Sequence, residues 1–224
     1  MTECRFFKPW VPEGYEKGIN GKKILVIGAS YYCNKFECPF FSDCTSKENK
    51  DSSKYDYACP YVNNRPLHDE PSYTTSNEIV TYKNFSQIFE PYVPDGYDIW
   101  EESVAFTNYL QFYLPSNQKD TIADDITLED TLAFLQTLKE LEPNIVIIWG
   151  SPVRNDIHNK LNKFILSNEN DDKTGGYICH LELPETKTTF TLLQLYHPAF
   201  PSYTFYFKPN IKDAIKYLGI ALNE

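Results

Sequence analysis

The 224-residue chain has no apolar run close to the eighteen or so residues that a membrane-spanning helix needs. Its first residues, Met-Thr-Glu-Cys-Arg-Phe-Phe-Lys, lack the apolar centre of a secretory signal peptide, so the expected location is cytosolic. Positive charge is scarce: 21 Lys and Arg stand against 31 Asp and Glu, a net charge of −10. This argues against a generic nucleic-acid binder, because affinity for a phosphate backbone comes largely from lysine and arginine displacing counterions. No internal repeat is visible, and neither a C-x2-C pair nor a G-x-S-x-G elbow occurs. Those absences count against a zinc knuckle and put hydrolase chemistry with Ser30 as nucleophile and His197 as base last among the readings.

The deficit of positive charge is uneven. Residues 1–65 carry ten Lys and Arg against eight Asp and Glu, a net of +2, whereas residues 66–224 carry a net of −12. A polyanion would therefore favour the N-terminal third. The exception is Lys208, Lys212 and Lys216, spaced every four residues and so sharing one face of a helix; such a stripe is either a solvated face or a phosphate contact. Aromatic residues make up 16% of the chain, with 17 tyrosines. A surplus of rings that carry a hydroxyl suits a ring-lined cleft or interface as well as a core.

A chain of this length that is 42% hydrophobic is expected to form one α/β domain. Four short apolar runs predict strands near 24–27, 104–108, 145–149 and 191–195. Each leads into a small or polar cluster: Gly28-Ala-Ser30, Asn108 before Pro115, Gly150-Ser-Pro152, and Tyr196-His-Pro198. Runs without polar alternation suit strands covered on both faces, as in a parallel sheet between helices. The sites of such folds lie at the C-terminal strand ends, so Ser30, Asn108 and His197 are expected to line one cleft. The residues up to 20 read as an arm that packs through Phe6, Phe7 and Trp10. Helical patterns cover Tyr82–Phe89, Thr127–Leu141 and about Pro152–Leu166. The second opens on a Thr-x-x-Asp capping pattern and carries Leu128, Leu132, Leu135, Leu138 and Leu141 as an apolar stripe. Asp171–Gly176 reads as a surface turn and Tyr177–Leu183 as a short edge strand.

Between about residues 30 and 69 the chain is irregular, polar and cysteine-bearing. Cys33, Cys38, Cys44 and Cys59 are spaced C-x4-C-x5-C-x14-C. Clustered cysteines in a cytosolic chain are more often metal or redox ligands than disulfides. Four thiolates could hold zinc or an iron–sulfur cluster and so tie down a long loop; free thiols or oxidised pairs are the alternatives.

Taken in order, Ile27-Gly-Ala-Ser-Tyr-Tyr32, Phe106-Thr-Asn-Tyr109, Val146-Ile-Ile-Trp-Gly-Ser-Pro152 and Tyr196-His-Pro-Ala199 resemble the four strand-end motifs of the uracil-DNA glycosylase superfamily. The resemblance implies a three-layer α-β-α sandwich around a central, mostly parallel four-stranded sheet, formed by residues 1–224 with the cysteine-bearing insertion at about 30–69. It also implies roles. Ser30 takes the water-activating position and His197 stabilises charge on the leaving base. Asn108 reads the base edge, and the loop after His197 enters DNA with Phe200 or Tyr203 as wedge. Some iron–sulfur branches of the superfamily use four cysteines, at a different spacing. Ser30 stands where members carry Asp or Asn, followed by Tyr31 and Tyr32, and Ala199 replaces a serine.

The residues support the same chemistry on their own terms. An asparagine amide offers the donor and acceptor that fit O4 and N3–H of uracil, and Phe40, Phe41 or Tyr32 could stack on the base. A strand-end histidine supplies a donor to an anionic leaving group, while a serine can position water without supplying a carboxylate's charge. Two readings follow. One is a glycosylase-like protein that recognises an extruded base in DNA, meeting phosphates through Lys208, Lys212 and Lys216. The other is a nucleotide- or nucleic-acid-binding module without hydrolysis.

Overall fold

The computed structural model describes residues 7–33, 80–111, 113–115, 126–171, 176–183, 185–195, 197–198 and 209–223. In chain order they form β1 Ile24–Gly28, β2 Tyr31–Cys33, α1 Val80–Ser86 continued by a 3-10 helix Gln87–Tyr92, α2 Ile99–Glu102, β3 Val104–Asn108 and β4 Tyr113–Pro115. Then come α3 Leu128–Leu141, β5 Ile145–Trp149, α4 Ser151–Leu161 with a 3-10 turn Asn162–Phe164, β6 Ile165–Asp171, β7 Gly176–Glu182, β8 Thr189–Leu195 and α5 Pro209–Asn223. No described helix is long and apolar enough to cross a membrane.

The main sheet runs β3-β1-β5-β8-β7-β6. Its first four strands are parallel to their neighbours, and β7 and β6 add on as antiparallel strands. Strands β1, β3 and β5 are buried at every position, because residues of both parities meet a helical layer. On one face Val26, Phe106, Ile147 and Leu195 pack with Phe85, Phe89, Trp100, Leu218 and Leu222 of α1, its 3-10 extension, α2 and α5. On the other, Leu25, Ala105, Ile148 and Leu192 pack with Phe134 and Leu138 of α3 and with Val153 and Ile157 of α4. The outer side of β3 is met once by the N-terminal arm, where Trp10 N–H donates to Phe106 O at 2.9 Å and Phe106 N–H to Trp10 O at 3.0 Å.

The four expected parallel strands are present, but the sheet has six strands rather than four. Helix α4 stops at Leu161, and the residues read as its end, Ile165 and Leu166, begin β6, which pairs with β7 from Ile165↔Leu181 to Asp171↔Gly176. That places β7 inside the sheet rather than at its edge. The Ser, Asn, Glu and Asp of β6 have little strand preference, so pairing with β7 rather than local propensity makes this segment a strand. β2, which pairs in parallel with β4, occupies the start of the stretch expected to be irregular.

The leucine stripe of α3 holds in its second half, where Leu138 is buried and Leu135 and Leu141 pack against the core, and is corrected in its first. Leu128 and Leu132 are 61% and 42% exposed, while Asp130, Thr131, Phe134, Thr137 and Leu138 are buried. Polar anchoring rotates the helix. The capping box is present, and the Asp130 carboxylate accepts from Thr127 N–H at 2.8 Å and, outside the helix, from Gln111 N–H at 2.8 Å. Asp130→Ala is therefore expected to lower stability by about 1–3 kcal/mol, the cost of leaving buried donors unpaired. Leu128→Gln should change it by less than about 0.5 kcal/mol. Urea unfolding of both variants checks this; equal losses would contradict the assigned face.

Candidate functional site

The parallel strands end on one row. Gly28 of β1 is in register with Asn108 of β3, Ile27 with Ile148 of β5, and Trp149 of β5 with Leu195 of β8. Asn108, Gly28, Trp149 and Leu195 thus close the sheet side by side. Because side chains alternate along a strand, all four belong to the face that packs on α1.

Gly28 is needed here for room. A methyl group at this position would overlap the Asn108 Oδ1 and come within 3.0 Å of Phe106 Cζ. The missing side chain is the notch over which the Asn108 amide lies, and Asn108 is only 4% exposed. The strand exit is fixed by Tyr109 N–H to Gly28 O at 2.9 Å and Leu110 N–H to Ala29 O at 3.0 Å. The two chains then part and pair again as β2 and β4, from Tyr31↔Tyr113 to Cys33↔Pro115. Half-buried Ser30 sits in the break between the two sheets.

His197 follows Leu195 by two residues and is half-buried. Its ring meets that of Trp149 edge-on, with centroids 5.8 Å apart. Trp149 is held by Phe85 at 5.1 Å, Phe106 at 5.4 Å and Tyr82 at 5.7 Å, so a wall of aromatic rings runs from the Asn108 strand to the histidine. The Trp149 indole N–H is buried without a hydrogen-bond partner among the described residues. The His-Pro turn is tied to α1 through Asn84 Nδ2, which donates to Pro198 O at 2.8 Å.

On the opposite face a polar cluster secures the residue after Asn108. Tyr109 is 1% exposed; its hydroxyl donates to Asp156 Oδ2 at 2.7 Å and lies 3.1 Å from Thr131 Oγ1. Lys160 pairs with Asp156 at 2.9 Å and donates to Thr131 Oγ1 at 2.9 Å. Burial holds the Tyr109 phenol well above its usual range, reinforced by the Asp156 carboxylate; Tyr15 is raised in the same direction by burial and by Glu16.

Ser30, Asn108 and His197 therefore share one edge of the sheet. A cleft of about 480 Å³ among the described residues lies elsewhere: it is lined by Lys83, Glu90, Asp95, Tyr97 and Asp98, among others, and by none of those three. Phe40, Phe41, Phe200, Tyr203, Lys208, Cys38, Cys44 and Cys59 lie outside the described residues, as do the side chains of Tyr32, Cys33 and Lys212. Lys216 is exposed on α5. Among the described residues no cluster of His, Cys, Asp or Glu is arranged to hold a metal ion.

Asn84, Gln111 and Asp130 were not legible as site residues. Their contacts reach across 114, 104 and 19 positions of sequence, and nothing local announces them. Trp149 had a signal in its place at the end of an apolar strand.

Two outcomes are expected. Gly28→Ala should cost about 1–3 kcal/mol through overpacking and shift the Asn108 side-chain amide resonances; unchanged resonances would show that the notch does not seat Asn108. The raised phenols bind their protons more tightly folded than unfolded. Their contribution is thus complete below the ordinary tyrosine value of 10.0 and is lost as pH rises past it. Unfolding free energies across that range should fall less steeply for Tyr109→Phe than for the unaltered chain. In comparisons with known proteins, no family model and no curated protein matches this chain.

Proposed function

We propose that the chain is a uracil-DNA glycosylase-like protein that receives a base extruded from DNA and hydrolyses its N-glycosidic bond slowly. The observation that carries the reading is the shared strand-end row: a base-reading amide on β3, a serine just beyond β1 and an imidazole just beyond β8. The strand order separates the first and last by three strand spacings, about 14 Å. That span accommodates one planar heterocycle between side chains reaching in from either end.

In this reading Asn108 pairs with O4 and N3–H of uracil, Ser30 orients the attacking water, and His197 donates to the O2 of the departing base. Water adds at the sugar C1′ as the C1′–N bond breaks, and the bond's electron pair leaves with the base. Taking the base out of its stack is a requirement for any enzyme acting on it. Phe200 or Tyr203 serves as the wedge, and Lys208, Lys212 and Lys216 with the basic N-terminal third meet phosphates. The second reading, a nucleotide- or nucleic-acid-binding module without hydrolysis, is favoured by two observations. Ser30 brings no carboxylate to stabilise the sugar cation, and the chain carries a net charge of −10.

The test is incubation with oligonucleotides carrying uracil, hypoxanthine, xanthine or a G/T mismatch, followed by detection of alkali-labile abasic sites. Slow release of uracil is expected, with Asn108→Ala and His197→Ala each lowering the rate about 100-fold, as for removal of one preorganised donor. Ser30→Asp should raise it. Equal activity in all three variants would remove the assignment; binding of uracil-containing DNA without cleavage would select the second reading.

A further inference from the structure

We propose that Gln111 is a positioning residue of this site, acting through Asn108; the inference rests on the base-reading role given to Asn108 above. Gln111 lies three residues beyond Asn108, where the chain leaves β3, and every hydrogen-bonding part of it that bears on the site is used. Its Nε2 donates to Asn108 O at 2.8 Å. Its Oε1 accepts from Phe7 N–H at 3.1 Å, and its own N–H donates to Asp130 Oδ1 at 2.8 Å. One residue therefore joins the N-terminal arm and the last carbonyl of β3 through its side chain, and the first turn of α3 through its backbone N–H.

The consequence for Asn108 is geometric. The peptide that follows it is held on both sides, by Tyr109 N–H on Gly28 O and by Gln111 Nε2 on Asn108 O. With that plane fixed and the preceding residues held in the β1–β3 ladder, the Cα–Cβ direction of Asn108 is fixed too, and the amide is delivered onto the notch at Gly28. The anchor is rigid at its far end, because Asp130 is 1% exposed and committed to the α3 cap. An amide that must distinguish a donor–acceptor edge from its inverse depends on orientation as well as presence. Gln111 supplies the orientation without facing the ligand.

The experiment measures affinity for two single-stranded oligonucleotides that differ only in a central uracil or cytosine, whose edges present inverted donor and acceptor patterns. The unaltered chain should favour uracil. Gln111→Met should reduce the preference about tenfold, in keeping with loss of one to two partly buried hydrogen bonds. In an Asn108→Ala background the same substitution should change the preference no further, because residues acting as a unit are non-additive. Should Gln111→Met fail to fold, Gln111→Glu carries the same expectation. It keeps an acceptor for Phe7 N–H and replaces only the donor facing Asn108 O. An undiminished preference in the folded Gln111 variant, or losses that add to those of Asn108→Ala, would overturn the positioning role while leaving the base-reading role standing. Equal affinity of the unaltered chain for both oligonucleotides would end the base-reading role and this inference with it.

Discussion

The parallel register of β3, β1, β5 and β8 is the constraint on which the rest of this molecule depends. Parallel pairing sends each connection back across a face of the sheet, and the helices that make these returns bury both faces. The strands can then be apolar at every position, and they can finish together. Because they finish on one row, three residues separated by up to 167 positions come to a single rim. The row holds one deliberate gap. A side chain at Gly28 would push out the Asn108 amide, so the smallest residue of the row decides where its most polar one lies.

The two faces are secured by different physics. Toward α1 the fastening is aromatic: Trp149, Trp100, Phe85, Phe106 and Tyr82 meet largely edge to face at 5.1–6.2 Å, a geometry that ring quadrupoles favour. Toward α3 and α4 it is polar near the strand ends. Asp130, Thr131, Asp156 and Lys160 supply partners for groups that would otherwise be buried alone. Buried polar groups that are fully paired specify one arrangement, because any slip leaves a group unsatisfied. That is why α3 turns Asp130 and Thr131 inward and leaves Leu128 at the surface.

On the functional reading proposed above, the site is built for recognition before catalysis. Its described members offer an amide, a hydroxyl and an imidazole, set against an aromatic wall and a strand exit held from three directions. Electrostatic stabilisation of a sugar cation by a carboxylate is the element that Ser30 does not provide. The carboxylate that reaches the strand exit through Gln111 N–H, Asp130, is committed to that contact and to the α3 cap. Positioning and leaving-group stabilisation are what remain for these residues to contribute.

The sequence alone determined the four apolar strands and their polar ends. Uninterrupted runs such as Ile145–Trp149 suit strands covered on both faces, whatever else the chain does. It also determined the start of α3, because the Thr127–Asp130 capping box is a local interaction. Tertiary structure decided the remainder. The segment Ile165–Asp171 became a strand because β7 offered it a ladder, against the preference of its own residues. The buried face of α3 was chosen by hydrogen bonds to a turn 19 residues away, which no helical period encodes. The contacts that fix Asn108 and His197 in place come from Gln111, Gly28, Asn84 and Trp149. Periodicity and capping act within a turn or two of chain, whereas these partners meet only after the sheet has closed.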